Sequence, residues 1–303
     1  MGFVLNSTPG QTISAATRAR VLEEARLQGY QPHRAAQALA SGRSRLILLV
    51  LPEWPIDYSM RTHINEMSLA LDESGYSLVT TTPHPDARAR PLWETLNPDV
   101  VLGLVPLSPD QEEAVLSSGS GAVVPKYSNV APQDETDFAD GPRLQVEHLV
   151  QRGRRHLAFA GSNDPRIAEL VEERRRRAEH AASDVGLDML SETDVDSSTV
   201  ADVVSAWLDA GIDGIVAYND DIAALVAGAA IRRGKHVPAD VAVIGHDDSP
   251  LAQLFVPALS SIHINYAGLG RYLAQLALSA VEGSPSPESG PLAQATVVAR
   301  EST

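Results

Sequence analysis

The sequence predicts an α/β protein made of two subdomains with parallel sheets, preceded by a short helical segment. From residue 46 onward, continuous apolar runs alternate with stretches of helical spacing, which is typical of buried parallel strands joined by helices. These units are too many for one comfortable sheet, so two Rossmann-like subdomains are expected. A length of 303 residues suits two modest subdomains and a small head.

Each predicted strand is a short apolar run. Residues 46–51 are the clearest example, and residues 60–74 follow with helical spacing. The other predicted strands are 76–82, 100–105, 122–125, 157–160, 214–218 and 241–245. Because ligands of such sheets bind beyond the carboxyl ends of the strands, the loops that follow these strands are the candidate sites.

Two helices are predicted before the first strand. The first begins after Ser14 as N-cap, continues with apolar residues at helical spacing and ends at Gly29. The second covers residues 34–41 and is rich in alanine. Its roughly eight residues are fewer than the roughly 12–15 that an isolated helix needs in water, so another molecule or domain must order it.

Nucleic acid is one candidate for ordering this second helix. Arg34, Arg43 and Arg45 bracket it with charges that bind phosphate, and Leu39 is an apolar side chain of the kind that wedges between base steps in the minor groove. The alternative is an ordinary linker helix between domains.

The charge distribution confines any DNA contact to the N-terminal segment. Residues 1–45 contain six arginines and two glutamates, a net charge of +4, whereas the whole chain carries −15, which leaves −19 for the remainder. An acidic body repels a phosphate backbone, although its charge is also explained by solubility alone. The absence of cysteine, of a membrane-length apolar run and of a signal peptide predicts a cytoplasmic protein without a membrane partner.

The segment VLNSTPGQTISAATRARVLEEARLQGYQPHRAAQAL, residues 4–39, resembles the end of the DNA-binding headpiece of the LacI/GalR family of transcriptional regulators. The resemblance implies that the family's helix-turn-helix lies before this segment and is missing here. It also implies that residues 34–41 form the hinge helix, with Leu39 as the minor-groove residue. The DNA-contacting residues it implies are Arg34, Ala35, Leu39 and Arg43.

The rest of the chain resembles the same family's body. The matching motifs are GPRLQVEHL (141–149), GRRHLAFAG (153–161), YNDDIA (218–223), VPADVAVIGHDD (237–248) and VARES (298–302). The resemblance implies a fold like that of type I periplasmic binding proteins. The implied domains are a partial headpiece with hinge helix at 1–45, an N-terminal subdomain at 46–138 plus 264–283, and a C-terminal subdomain at 139–263 plus 284–303.

The function implied by the resemblance is that of a homodimeric repressor that binds operator DNA under the control of a small-molecule effector. The effector would be a sugar, a sugar phosphate, a sugar acid or a purine. The alternative is a sugar-binding protein, exported or cytoplasmic, that has no role on DNA and no need for the hinge segment.

Six residues match positions that contact the effector in this family. They are Tyr58, Lys126, Arg174, Asn219, Asp247 and Tyr266. Arginine offers a fork of donors, aspartate accepts from hydroxyls and asparagine does both, which suits a polyol or the edge of a heterocycle. The two tyrosines match an aromatic position that stacks on a ring and a second pocket position.

Several of these residues have a simpler structural interpretation. Asp220 is expected to be an N-cap of the following helix, and Asp247 is a possible cap before Pro250. The arginines of residues 174–177 are expected to form a solvated surface balanced by neighbouring glutamates, from which only the family match singles out Arg174. The ring of Tyr266 could equally belong to the core.

Lys126 is a departure from the family pattern, because relatives commonly carry an aspartate there. A cation at this position favours a carboxylate or a phosphate on the effector. The alternative is that Lys126 points to water or pairs with a carboxylate such as Asp134.

Catalysis and cofactor chemistry have little support in the sequence. No GxSxG elbow, P-loop or HExxH motif occurs. The nine histidines lack metal-ligand spacing, and His33, His63, His84 and His246 are expected to be surface or loop residues. The prediction is therefore a protein that is not an enzyme and uses no cofactor or metal.

Overall fold

A computed structural model describes residues 13–28, 43–84, 88–119, 121–125, 140–192, 194–287 and 295–303. The chain forms two compact units, each assembled from several segments. The first comprises Met1–Pro52, Leu71–Asn129 and Ala277–Pro285, and the second comprises Glu53–Ala70, Val130–Leu276 and Ser286–Thr303. Residues 53–70 thus group with the C-terminal sheet, whereas the family resemblance implies that they belong to the first subdomain; the functional subdomains stay a prediction.

The elements alternate along the chain as an α/β fold requires. The strands are β1 (Leu46–Val50), β2 (Ser77–Thr81), β3 (Val100–Gly103), β4 (Ala122–Val124), β5 (Leu157–Ala160), β6 (Met189–Glu192), β7 (Gly214–Ala217), β8 (Ala242–Ile244), β9 (Ser261–His263) and β10 (Thr296–Val298). The helices are α1 (Ala15–Leu27), α2 (Tyr58–Glu73), α3 (Leu92–Leu96), α4 (Pro109–Ser117), α5 (Gly141–Gln151), α6 (Ala168–Asp184), α7 (Val200–Asp209), α8 (Asp220–Arg232), α9 (Pro250–Leu254) and α10 (Tyr266–Glu282).

The first unit contains a four-stranded parallel sheet in the order β2-β1-β3-β4. All four strands were predicted. The two central strands, β1 and β3, consist almost entirely of buried apolar residues, whereas the edge strand β2 is only partly buried. Ser44, just before β1, donates its backbone N–H to Asp99 Oδ1 at 2.8 Å, and Arg45 donates its own to Oδ2 at 3.0 Å. Asp99 therefore anchors the start of the sheet.

The predicted N-cap of the first helix is confirmed. Ser14 Oγ accepts the backbone N–H of Thr17 at 3.2 Å, and α1 begins at the next residue. Gly29 and the predicted hinge helix at 34–41 lie outside the described residues.

The second unit contains a parallel sheet in the order β6-β5-β7-β8 and an antiparallel pair, β9 and β10. Strands β5, β7 and β8 are buried throughout, as predicted from their apolar runs. The chain order reverses between β5 and β7, and in such sheets ligands bind beyond the carboxyl ends of the strands at this point. The loops after β7 and β8 are therefore the candidate ligand-binding loops.

Candidate functional site

Polar side chains of the second unit converge where β7 and β8 end. Tyr218 and Asn219 follow β7 directly, and His246 and Asp247 follow β8 after a single glycine. Because neighbouring parallel strands end at the same edge of a sheet, these residues lie side by side. Helices α6 and α10 supply two further members, Arg174 and Tyr266.

Asp247 is the centre of this cluster. Its Oδ1 accepts the phenol O–H of Tyr266 at 2.6 Å and the ring N–H of His246 at 2.7 Å, and lies 3.5 Å from Arg174 Nη2. None of the hydrogen bonds among the described residues uses Oδ2. The backbone of Asp247 is left-handed, with φ of 94°, a conformation that carboxylate residues tolerate better than most.

Arg174 is held by Tyr218, the residue that follows β7, as well as by Asp247. Its Nη1 donates to the carbonyl oxygen of Tyr218 at 2.5 Å, and its guanidinium carbon lies 4.6 Å from the centroid of the Tyr218 ring. This cation–π geometry and the fixed fork of donors define the plane of the guanidinium. The side chain remains 24% exposed, so part of that fork is open to solvent or to a ligand.

The other three arginines of the run face away from this cluster, as the sequence predicts. Arg175 pairs with Glu172 and Glu179, each at 2.6 Å. The remaining two pair with Glu173. Only the first arginine of four consecutive ones reaches the site, because successive residues of a helix point about 100° apart.

The charges of the cluster stabilise one another. Burial alone would raise the pKa of Asp247, but the Arg174 guanidinium and the hydrogen bonds from His246 and Tyr266 outweigh it and hold that pKa below its usual range. Burial would also lower the pKa of Arg174, but Asp247 reverses this effect and raises it. Burial and the adjacent Asp247 carboxylate raise the pKa of Tyr266, which keeps its phenol protonated as a donor.

The expected capping role of Asp220 is corrected by the structure. Asn219, not Asp220, caps α8: its Oδ1 accepts the backbone N–H of Ile222 at 3.0 Å. The amide nitrogen of Asn219 makes no hydrogen bond among the described residues and can therefore donate to a ligand. Asp247 does not cap α9 either, since Ser249 precedes that helix and Asp247 binds side chains instead.

Asp220 is a buried carboxyl group that supports the loop after β8. Its Oδ2 accepts the backbone N–H of Ser249 at 2.6 Å, and its Oδ1 accepts the hydroxyl of Ser261 at 2.6 Å. Ser261 Oγ in turn accepts the backbone N–H of Asp248 at 3.0 Å. Burial raises the pKa of Asp220 to about 7, against the opposing effect of these hydrogen bonds.

Two histidines expected at the surface or in loops contribute to this region: His246 lies in the loop after β8, as expected, whereas His63 lies in a helix. His246 is buried, with a side chain only 1% exposed. His63 lies in α2 and is half-buried; its ring contacts that of Tyr266 edge-on, with centroids 5.0 Å apart at 69°. Burial lowers the pKa of both rings, so each is mainly neutral at pH 7. Lone histidines carry no periodic signal that would have revealed this placement.

The two predicted tyrosines differ in their surroundings. Tyr266 joins the cluster through its hydroxyl, and its ring also packs against the core of the second unit. Tyr58 begins α2 and is half-buried, and its carbonyl accepts the hydroxyl of Thr62 at 2.9 Å. Among the described residues, no hydrogen bond or ring contact joins Tyr58 to Arg174 or Asp247.

The other predicted positions cannot be placed in this cluster. Lys126, together with Arg34, Ala35 and Leu39 of the hinge, lies outside the described residues. Arg43 is described and exposed, immediately before the anchored start of β1.

Gly141, the first residue of α5, is predicted to be intolerant of a side chain. A Cβ there would lie 2.2 Å from His246 Nε2, in a site where the ring cannot retreat because it is buried. We expect Gly141→Ala to lower the free energy of unfolding by about 1–3 kcal/mol in urea titrations. Gly228→Ala in α8 is the control, because only the flexible end of Arg232 lies close to its Cβ. Equal effects of the two changes would contradict this packing.

The part of the chain that is described contains no group of three or more histidine, cysteine, aspartate or glutamate side chains arranged to hold a metal ion. None of its helices has the length and apolar character that a membrane crossing requires.

Comparison with known families gives one domain match. Residues 146–303, slightly more than half of the chain, match the family described as periplasmic binding protein-like domain. This region contains the parallel sheet of the second unit and the cluster around Asp247, apart from the contributions of α2.

Known proteins with sequences similar to this chain include transcriptional regulators. The chain is 25% identical to the ribose operon repressor of Bacillus subtilis over 302 residues, 95% of this chain and 89% of that protein. It is 34% identical to the HTH-type transcriptional regulator GntR of Pseudomonas aeruginosa over 162 residues, 52% of this chain and 47% of that protein. The Lac repressor dimer bound to operator and the anti-inducer ONPF has a similar fold, with a TM-score of 0.77 at 21% identity, covering 99% of this chain and 93% of that one.

Proposed function

The chain belongs to the periplasmic binding protein-like family and, within it, to the LacI/GalR transcriptional regulators, and we propose that it is a repressor whose operator affinity is controlled by a small-molecule effector. One observation carries this proposal. Arg174, Asp247 and Tyr266 meet beyond the carboxyl ends of β7 and β8, with Oδ2 of Asp247 and part of the guanidinium unused. Such a set of convergent polar groups at a sheet edge suits a small polar ligand.

The charges of the described residues favour a neutral effector. Asp247 compensates the charge of Arg174, and the carboxylate of Asp57 adds negative charge that raises the pKa of Arg174 and of Tyr266. Among sugars, sugar phosphates, sugar acids and purines, we therefore propose a neutral sugar or a purine. Lys126 is the residue that would reverse this preference, since a lysine in the site would attract a carboxylate or a phosphate.

Each remaining residue of the site has a proposed role in holding such a ligand. Asn219 would donate from its amide group, since its oxygen is engaged in the helix cap. Tyr266 and Tyr58 would offer aromatic surface to a ring. His63, beside Tyr266, adds a neutral imidazole that can both donate and accept.

We propose that the effector acts on DNA through a population shift. In a cytoplasmic homodimer on a pseudo-palindromic operator, the ligand would favour one arrangement of the chain and so change the presentation of the two hinge segments. Arg34, Ala35, Leu39 and Arg43 would contact the operator, with Leu39 in the minor groove. Coupling of this kind is typically worth about 1–3 kcal/mol and is reciprocal. A sugar-binding protein without a DNA role would lack this coupling, and no catalytic step is part of the proposal.

A panel of ligands tests the effector site directly. Thermal unfolding is measured with matched pairs: neutral sugars beside their phosphates and acids, and purine bases beside their nucleotides. A ligand present at 100 times its Kd adds about 2.7 kcal/mol to stability, which is readily detected as a rise in Tm. Stabilisation by a neutral member that Asp247→Asn abolishes is the expected result. Stabilisation only by anionic members, lost in Lys126→Ala, would contradict the neutral assignment.

The proposed binding of operator DNA is tested in a separate experiment. Operator affinity of the full-length protein is measured by fluorescence anisotropy with and without the panel ligand. We expect the ligand to change operator affinity about 5–150-fold. Leu39→Ala should weaken operator binding while leaving ligand affinity unchanged. A ligand that binds without any effect on operator affinity would favour the sugar-binding alternative.

A further inference from the structure

His246 is a buried ionisable residue that has no role so far in the proposed binding of the effector. Its Nδ1 lies 2.7 Å from Asp247 Oδ1. Its Nε2 is buried without a hydrogen-bond partner among the described residues. On that side the ring abuts Gly141, where a Cβ would lie only 2.2 Å from Nε2.

The surroundings of His246 select one state of its ring. Since the partner of Nδ1 is a carboxylate oxygen, Nδ1 carries the hydrogen and donates it. A second hydrogen on Nε2 would point at the first residue of the eleven-residue helix α5, where the helix dipole disfavours positive charge. Burial and the nearby Arg174 guanidinium also lower the pKa of His246. The ring is thus a neutral imidazole with a single N–H, directed at Asp247.

The N–H of His246 helps to determine which oxygen of Asp247 accepts the hydrogen bonds of the protein. Hydrogen bonds from His246 and Tyr266 both fall on Oδ1, and Arg174 Nη2 is nearest to that same oxygen. The two donors lie on different segments of the chain, one adjacent in sequence and the other 19 residues away in α10. Together they prevent rotation of the carboxylate, and Oδ2 stays without a protein donor among the described residues.

We propose that His246 is a positioning residue, which fixes the carboxylate of Asp247 so that Oδ2 is presented to a hydrogen-bond donor of the effector. This inference rests on the proposed effector site. It also specifies which group of the effector faces Asp247. A hydroxyl, amide or ammonium group can donate a hydrogen bond to Oδ2, whereas a carboxylate or phosphate has only acceptor oxygens and would be repelled. Without the His246 N–H, the Asp247 carboxylate would be held by fewer donors. It could then rotate, and Oδ2 would no longer be kept in a fixed position for the effector.

Asparagine and leucine at position 246 form a matched pair that tests this role. The Asn Nδ2 occupies the same position relative to Cβ as the His Nδ1, so His246→Asn retains an N–H donor. Leucine has the branching of asparagine without a donor. Any effect of lost ring volume is common to both variants, and the difference between them reports the hydrogen bond alone.

The first readout is the Kd of a ligand that stabilises the wild-type protein in the panel. We expect His246→Leu to raise this Kd about 10–100-fold, as befits the loss of a hydrogen bond to a charged group. His246→Asn should stay within about threefold of wild type. The second readout needs no ligand: the pKa of Asp247, followed by NMR of ¹³Cγ-labelled aspartate, should rise by about one to two pH units in His246→Leu and little in His246→Asn.

The outcomes separate this inference from the proposed function. If no panel compound binds, the effector assignment fails while the aspartate titration still decides the role of His246. Equal Kd values and equal Asp247 pKa values in the two variants would overturn the inference. If neither variant folds, ¹⁵N shifts of the wild-type His246 ring decide it: the neutral Nδ1–H tautomer is expected at neutral pH, and an Nε2–H tautomer would refute the role.

Discussion

Asp247→Ala is expected to lower the free energy of unfolding of the second unit by about 3–5 kcal/mol, because it leaves a largely buried guanidinium without its carboxylate. The Arg174 side chain is 24% exposed, so water cannot fully replace Asp247. Tyr266 and His246 would each lose the acceptor of a hydrogen bond of 2.6–2.7 Å. Alanine would also have to adopt the left-handed backbone at φ of 94°, which adds strain.

Urea unfolding of Asp247→Ala, of the single variant Arg174→Leu and of three further variants separates these contributions. Asp221→Ala is the control, since this neighbouring carboxylate at the start of α8 is exposed and is expected to change stability by less than about 0.5 kcal/mol. Asp247→Asn keeps the shape and tolerates the backbone conformation, so it isolates the charge. Adding Arg174→Leu to Asp247→Ala should recover part of the loss, because the unpaired cation is then absent. A double variant as unstable as the sum of the single ones would mean that the pair does not interact.

The fold was predictable where burial leaves a clear pattern in the sequence. Strands β1, β5 and β7 are continuous apolar runs because both faces of their sheets are covered. Strand β6, by contrast, lies at a sheet edge and contains exposed residues, so it has no such run. Strands β9 and β10 have three residues each, like β4 and β8, but they include serine, histidine or threonine, so no continuous apolar run marks them in the sequence.

The site was predictable only in part. Arg174 and Asp247 follow from motif resemblance, and the structure brings them together. Asn219 caps α8 in place of Asp220 because both residue types cap helices and stand side by side; a shift of one residue in the helix start decides which one caps. The burial of His246 depends on Gly141, more than 100 residues away, and no local pattern reports such a contact.

Asp220 is expected to make the stability of the protein depend on pH in the neutral range. Its pKa of about 7 in the folded state exceeds the value of 3.8 expected for an exposed carboxyl group. The folded protein therefore keeps a proton that the unfolded chain has released. This contribution to stability is fully present below about pH 4 and is lost as the pH rises to about 7, by about 1.4 kcal/mol per pH unit.

Asp220→Asn removes this titration while leaving an oxygen that can accept the N–H of Ser249. Relative to wild type, the variant should gain about 2–3 kcal/mol between pH 5 and pH 8, measured by urea unfolding at each pH. Ser261→Ala provides an independent check. It removes a hydrogen bond that lowers the pKa of Asp220, so the pH range over which stability is lost should extend upward. A stability difference between Asp220→Asn and wild type that stays constant from pH 5 to pH 8 would show that Asp220 is already ionised throughout, and hence that its carboxylate is solvated rather than enclosed by Ser249, Ser261 and the loop after β8.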